Sequence, residues 1–320
     1  MLLNFIIVAV GFVLLVKGAD LLVGGASSLA KRMGISTLLV GLTVVALGTS
    51  MPELVVNVFA ALSGTTDIAV GNIIGSNISN IALVLGVSAV LFPLRVHHST
   101  IWKEIPYALL AVVLVSIMAS DMALDRMSGN VISRGDGLVL VSFTFIFLYY
   151  IFGMAKKGRT QFEAVPKMSK AKMVIYIVAG ILLLVAGGKV VIEGAVGLAT
   201  ALGMSSRVIG LTVVALGTSL PELVTSVVAA LRKQSDMAVG NIVGSNILNV
   251  FMVLGISATI MPLPFSSPAL FDAGFNIVIT LLLFLFLFVG KKHMIERWQG
   301  LGFVALYCLY IGYSVAQGRV

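Results

Sequence analysis

Charge is what this sequence has least of. Only 11% of its 320 residues are Asp, Glu, Lys or Arg, where a soluble domain carries about a quarter. With 59% of residues hydrophobic and a mean hydropathy of +1.11, a wetted surface cannot be built. Most of the outer surface must face lipid. Apolar runs near bilayer length number about ten, beginning near Leu3, Thr37, Ile68, Ile105, Gly137, Met173, Arg207, Met237, Phe275 and Gly300. Almost nothing is left for a water-soluble domain. Cysteine is nearly absent as well: Cys308 stands alone, which excludes an intrachain disulfide and any Cys/His metal spacing. The three histidines, His97, His98 and His293, fall in connections between spans. The apolar start, Leu2 to Val16, has the length of a signal-peptide core but no small-residue cleavage pattern after a charged start. It also has a counterpart later in the chain, so it reads as the first membrane helix.

The net charge of +8 marks orientation rather than a nucleic-acid partner. With the N-terminus outside and ten spans following, roughly fifteen of the 21 Lys and Arg lie on the cytoplasmic side. The segment from Pro262 to Asp272, assigned outside, has none. This arrangement predicts a multi-pass protein of the cell membrane with both termini extracytoplasmic.

The chain repeats itself. Gly41 to Gly86 aligns without gaps on Gly210 to Gly255, with 32 of 46 positions identical, and the offset is 222 − 53 = 169 residues. Gly11 with Gly180, Gly25-Ala26 with Gly194-Ala195, and Gly34 with Gly203 keep the same offset. Each copy then holds five spans. Residues 1–155 form the first half, 156–172 a basic cytoplasmic linker, and 173–320 the second half. An odd number of crossings per copy inverts the second copy in the membrane, and such inverted repeats place substrate near the midplane where the copies meet.

The duplicated block contains what a lipid-facing helix avoids. It reads GLTVVALGTSMPELV and then DIAVGNIIGSNISN in the first copy, GLTVVALGTSLPELV and then DMAVGNIVGSNILN in the second. Pro52 has no N–H, and its ring crowds the Gly48 carbonyl; Pro221 does the same at Gly217. The second and seventh helices are therefore predicted to be broken, exposing carbonyls that are tolerated only inside protein or beside a cavity. Those carbonyls and the neighbouring hydroxyls are hard oxygen ligands of the kind Ca²⁺ takes six to eight of. Glu53 and Glu222 supply negative charge. A carboxylate at mid-membrane costs about 2.5–3.5 kcal/mol even on lenient scales, and two facing each other would repel unless a cation sat between them. Na⁺, similar in size with half the charge, suits the same oxygens, which is a chemical basis for exchange.

A plainer account competes. Ser50-Met-Pro-Glu53 and Ser219-Leu-Pro-Glu222 match the S-x-x-E capping box, in which each Glu would only start a helix. Asn72, Ser76 and Asn80, like Asn241, Ser245 and Asn249, lie four apart and share a helix face. They either complete a cation shell or bond neighbouring helices; Asn77 and Asn246 read as helix-bonding. Gly71 and Gly75, with Gly240 and Gly244, read as close-packing pairs, and Asp67 and Asp236 as N-caps.

The paired blocks GTSMPE…GNIIGSNISN and GTSLPE…GNIVGSNILN closely resemble the α-repeats of the Ca²⁺/cation antiporter superfamily, in its Na⁺/Ca²⁺ exchanger branch. The resemblance runs the full chain. It implies an all-α membrane fold of ten helices in two inverted halves, Na⁺ and Ca²⁺ as transported ions, no cofactor and no enzyme activity. No protein partner is implied beyond the lipid bilayer. It also implies cation binding by Glu53 and Glu222, by the hydroxyls or carbonyls of Thr49, Ser50, Thr218 and Ser219, and by the carbonyls of Ala46 and Ala215. Ser76, Asn80, Ser245 and Asn249 would complete the cluster, and the first and sixth helices would slide to switch access. One departure stands out: archaeal and K⁺-dependent relatives carry Asp where this chain has Asn249, which argues against K⁺ co-transport. The proton-coupled branch shows G-N-x-x-E in place of GTS-x-PE. H⁺/Ca²⁺ exchange or K⁺-dependent Na⁺/Ca²⁺ exchange is thus the alternative, and a cation channel or a membrane-embedded acid/base enzyme is more remote.

Overall fold

The computed structural model describes residues 1–157, 168–202 and 215–317. Helix α1 (Leu2–Met33) runs through the stretch that could have passed for a signal core and stops at Gly34, whose left-handed backbone (φ 67°) lets its N–H bond the Ala30 and Lys31 carbonyls. Helices α2 (Thr37–Thr49) and α3 (Met51–Ser63) make one span bent by 47°. They are followed by α4 (Thr66–Leu91), α5 (Thr100–Met118) and α6 (Arg134–Lys157). The second half gives α7 (Lys170–Ala201), α8 (Ala215–Thr218), α9 (Leu220–Leu231), α10 (Ser235–Ile260), α11 (Ser267–Phe286) and α12 (Arg297–Ala316). Among the described residues, eight helices are long and apolar enough to cross a bilayer, and the bent pair makes nine. The tenth expected span falls on α8–α9, and residues 203–214 of it lie outside the described residues.

The two breaks share one backbone conformation. Ser50 sits at φ −82°, ψ 8° and Ser219 at φ −82°, ψ 0°, each just before a proline in the first turn of the next helix. Neither serine caps that helix with its side chain, so the capping-box reading fails. The N-cap expectation for the two aspartates fails as well. Thr65 and Gln234 hold the N-cap positions, while Asp67 and Asp236 lie inside the first turn, where their charge still favours the positive end of the helix dipole.

Helices α4 and α10 form the centre. They are buried over 78% and 89% of their apolar windows, against 22–39% for the other single spans. They cross at Asn77 and Asn246, whose amides bond each other's backbone reciprocally: Asn77 Nδ2 donates to the Asn246 carbonyl (3.1 Å) and Asn246 Nδ2 to the Asn77 carbonyl (3.2 Å). Two aligned asparagines trading the same bond is the local sign of a two-fold relation between halves. Both helices also widen to i→i+5 turns, over Asn80–Leu85 and Asn249–Leu254, a distortion frequent at functional sites. The GxxxG expectation holds in α10, where a Cβ on Gly240 or Gly244 would come within 2.8 Å of the α2 backbone at Leu38 or Leu42. The partner expected for Gly71 and Gly75 lies outside the described residues.

Two features extend the two-fold relation outward. Strand β1 (Leu94–Arg95) pairs antiparallel with β4 (Met294–Ile295), and β2 (Val131–Ile132) with β3 (Leu263–Pro264). Each pair joins a strand of one half to a strand of the other. On the flank, α1 and α7 pack backbone to backbone along a glycine seam: a Cβ on Gly18 would lie 2.9 Å from the Gly180 carbonyl, and one on Gly187 3.0 Å from the Gly11 carbonyl. Those two contacts exchange under the 169-residue offset.

Candidate functional site

The breaks at Ser50 and Ser219 bring the ends of α2 and α3, and of α8 and α9, against the middles of α4 and α10. Glu53 and Glu222 enter from the first turns of α3 and α9 and are each 1% exposed. Their hydrogen bonds differ. Ser50 Oγ donates across the halves to Glu222 Oε1 at 3.0 Å, whereas Glu53 Oε1 accepts from Ser76 Oγ of its own half at 3.4 Å.

All twelve residues proposed from sequence fall on these elements. Thr49, Ser50, Ser76, Asn80, Ser219, Ser245 and Asn249 are buried, and Thr218 is half-buried. Ala46 and Ala215 head the last turns of α2 and α8. The Ala46 carbonyl accepts the Ser50 N–H at 3.0 Å. Pro52 lacks the N–H that Gly48 would bond, so that carbonyl, two residues on, is the one that loses its helical partner.

The decisive feature is what remains unpaired. Glu53 Oε2, Glu222 Oε2, Asn80 Oδ1, Asn249 Oδ1, Thr218 Oγ1, Ser219 Oγ and Ser245 Oγ are buried without a hydrogen-bond partner among the described residues. Buried polar atoms are paired in the great majority of cases, and leaving one bare costs about 1–3 kcal/mol. Seven bare oxygens, two of them carboxylate, lie on two pairs of aligned segments, and oxygens of this kind are what Ca²⁺ or Na⁺ prefers. No group of three His, Cys, Asp or Glu gathers among the described residues.

A model of the sodium/calcium exchanger protein family matches residues 3–153 and again 172–316. The chain belongs to the sodium/calcium exchanger family. The chain is 39% identical over 98% of its length, and 98% of the relative's, to the protein CaxA of Alkalimonas amylolytica. It is 31% identical to the sodium/calcium exchanger MaX1 of Methanosarcina acetivorans, over 98% of this chain and 97% of that one. Its fold superposes on the sodium-calcium exchanger NCX_Mj with a TM-score of 0.83 at 34% identity, covering 98% of this chain and 99% of the other. Like these relatives it is a membrane transporter and not an enzyme.

Sequence reasoning left out three residues of the exchanger's interior. Asn57, fully buried, accepts from Asn72 Nδ2 at 2.6 Å and donates to the Ala69 carbonyl at 2.9 Å; its aligned partner Ser226 accepts from Asn241 Nδ2 at 3.0 Å. The available signal was spacing, since both lie four residues after a glutamate and so on its helix face. Glu104, also fully buried, accepts from Tyr150 Oη. Nothing in the duplicated block points to it.

Proposed function

We propose that the protein exchanges Na⁺ for Ca²⁺ by alternating access, with Glu53 and Glu222 at the centre of a shared cation site. The observation that carries this is the set of partnerless buried oxygens drawn from both copies of the repeat. Thr49, Ser50, Ser76 and the carbonyls of Ala46 and Ala215 complete the cluster, and Na⁺ moving down its gradient drives Ca²⁺ out of the cell. The protein sits in the cell membrane with both termini outside, in two inverted five-helix halves, 1–155 and 173–320, joined by a cytoplasmic linker at 156–172.

Parity of the strand pairs supports ten crossings. The members of an antiparallel pair lie on one side of the membrane, so an even number of spans separates them. From β1 to β4 the chain runs through α5, α6, α7, α8–α9, α10 and α11; from β2 to β3 it runs through α6, α7, α8–α9 and α10. Both counts are even only when the α8–α9 segment crosses.

Everted vesicles carrying the protein are expected to take up ⁴⁵Ca²⁺ against an imposed Na⁺ gradient. Glu53→Gln and Glu222→Gln each abolish that uptake. Uptake that follows a pH gradient and ignores Na⁺ assigns H⁺/Ca²⁺ exchange instead, and dependence on K⁺ assigns the K⁺-coupled form.

A further inference from the structure

Thr49 holds one hydroxyl proton and has two acceptors in reach. Its Oγ1 lies 3.1 Å from Asn241 Oδ1 and 3.3 Å from the Ala46 carbonyl. The choice between them matters for ion binding. A carbonyl oxygen has two lone pairs, and that of Ala46 already spends one on the Ser50 N–H. Given the Thr49 proton as well, it keeps none for a cation. Asn241 alone can accept it without drawing on the proposed ligand set.

Asn241 is built for that acceptance. It sits on α10, 1% exposed, and reaches across the interface between halves to Thr49. Its amide is fixed end for end, because Nδ2 donates to Ser226 Oγ at 3.0 Å and so turns Oδ1 toward Thr49. The aligned group behaves differently. Asn72 donates to Asn57 Oδ1 at 2.6 Å, and Thr218 Oγ1 has no partner among the described residues.

Building on the exchange reading, we propose that Asn241 is a positioning residue that draws the Thr49 proton away from the site, leaving the Thr49 lone pairs and the Ala46 carbonyl free for the cation, with Ser226 holding the amide in that orientation. It touches no ion. It sets affinity through Thr49.

The test is cation-dependent thermal stabilisation of the purified full-length protein, titrated with Ca²⁺ and with Na⁺, alongside flux in proteoliposomes. Asn241→Ala is expected to raise the half-saturating Ca²⁺ concentration roughly three- to tenfold, the worth of one hydrogen bond, and to raise KM more than it lowers the maximal rate. Ser226→Ala moves both in the same direction by less. Asn241→Asp, which still accepts from Thr49, returns half-saturation to near the wild-type concentration. In a Thr49→Val background, Asn241→Ala adds nothing, whereas a residue that only packs α10 against α2 would cost the same in either background. An unchanged half-saturation in Asn241→Ala, or additive effects in the double variant, overturns the proposal. Wild type that binds Ca²⁺ without exchanging it overturns the exchange reading and leaves the binding comparison to decide Asn241 by itself. Absence of any cation-dependent stabilisation in wild type overturns both.

Discussion

Replacing Gly18 by valine strikes the seam between α1 and α7, where the backbones themselves touch. A Cβ at Gly18 would lie 2.9 Å from the Gly180 carbonyl, 2.9 Å from the Leu184 nitrogen and 3.0 Å from Leu183 Cβ. Two of those three atoms are backbone, so no rotamer change relieves the clash and the helices must separate. Overpacking of this kind destabilises by about 1–3 kcal/mol. The branched side chain, meeting backbone on two sides, belongs at the upper end, near 2–3 kcal/mol. Helix propensity works the other way by only a few tenths, since valine is a slightly better helix former than glycine. The control is Gly312→Val on α12, where a Cβ meets nothing within 4 Å and the same propensity change should be neutral or mildly favourable. Thermal unfolding in detergent should therefore fall by roughly 4 °C or more for Gly18→Val, at about 2 °C per kcal/mol for a chain of this size, and hold for Gly312→Val. Gly180→Ala added to Gly18→Val should be less than additive, because the separated helices already leave it room. Equal melting temperatures for the Gly18 and Gly312 variants would refute the claim that the seam is backbone contact.

Other substitutions probe separate features. Ser50→Ala should weaken Ca²⁺ affinity more than Ser219→Ala, because only Ser50 donates to a carboxylate, Glu222 at 3.0 Å; a hydrogen bond to a charged group is worth about 1.5–3 kcal/mol, and equal affinities in ⁴⁵Ca²⁺ uptake would contradict it. Lys233 adopts a left-handed backbone (φ 61°) at the position aligned with Gly64 (φ 75°), so Lys233→Gly should raise the melting temperature by relieving about 1 kcal/mol of strain. Tyr150→Phe removes the hydroxyl that donates to the fully buried Glu104, whose second oxygen has no partner among the described residues. A loss of about 1–3 kcal/mol follows, seen as lower thermal stability with Na⁺ and Ca²⁺ half-saturation unchanged.

Much of the fold could be read from residue order because the chain states its main elements twice. Proline after Gly-Thr-Ser announces each break, and a polar Asn or Ser at every fourth position announces each inward face. Bonds that depend on which copy faces which were not legible. Ser50 reaching Glu222 while Ser219 Oγ has no partner among the described residues is an asymmetry between nearly identical segments, so alignment of the copies argues against it. The capping reading failed for a backbone reason: S-x-x-E encodes a local bond that needs an extended N-cap, and both serines sit at φ −82° with ψ near 0°. Asn57 and Ser226 differ between the copies, so the repeat does not mark them, yet each orients the amide of a different asparagine. The Asp67 and Asp236 caps were misplaced by two residues, an offset that hydrophobic periodicity cannot resolve.

The strand pairs bear on how such a chain is made. Leu94 waits for Ile295 and Val131 for Pro264, so neither half, emerging alone, can close an edge with its own residues. The earlier-made half must stay unlatched at both membrane faces until the last third of the polypeptide arrives, and the same two clasps then fasten both rims of the finished molecule together.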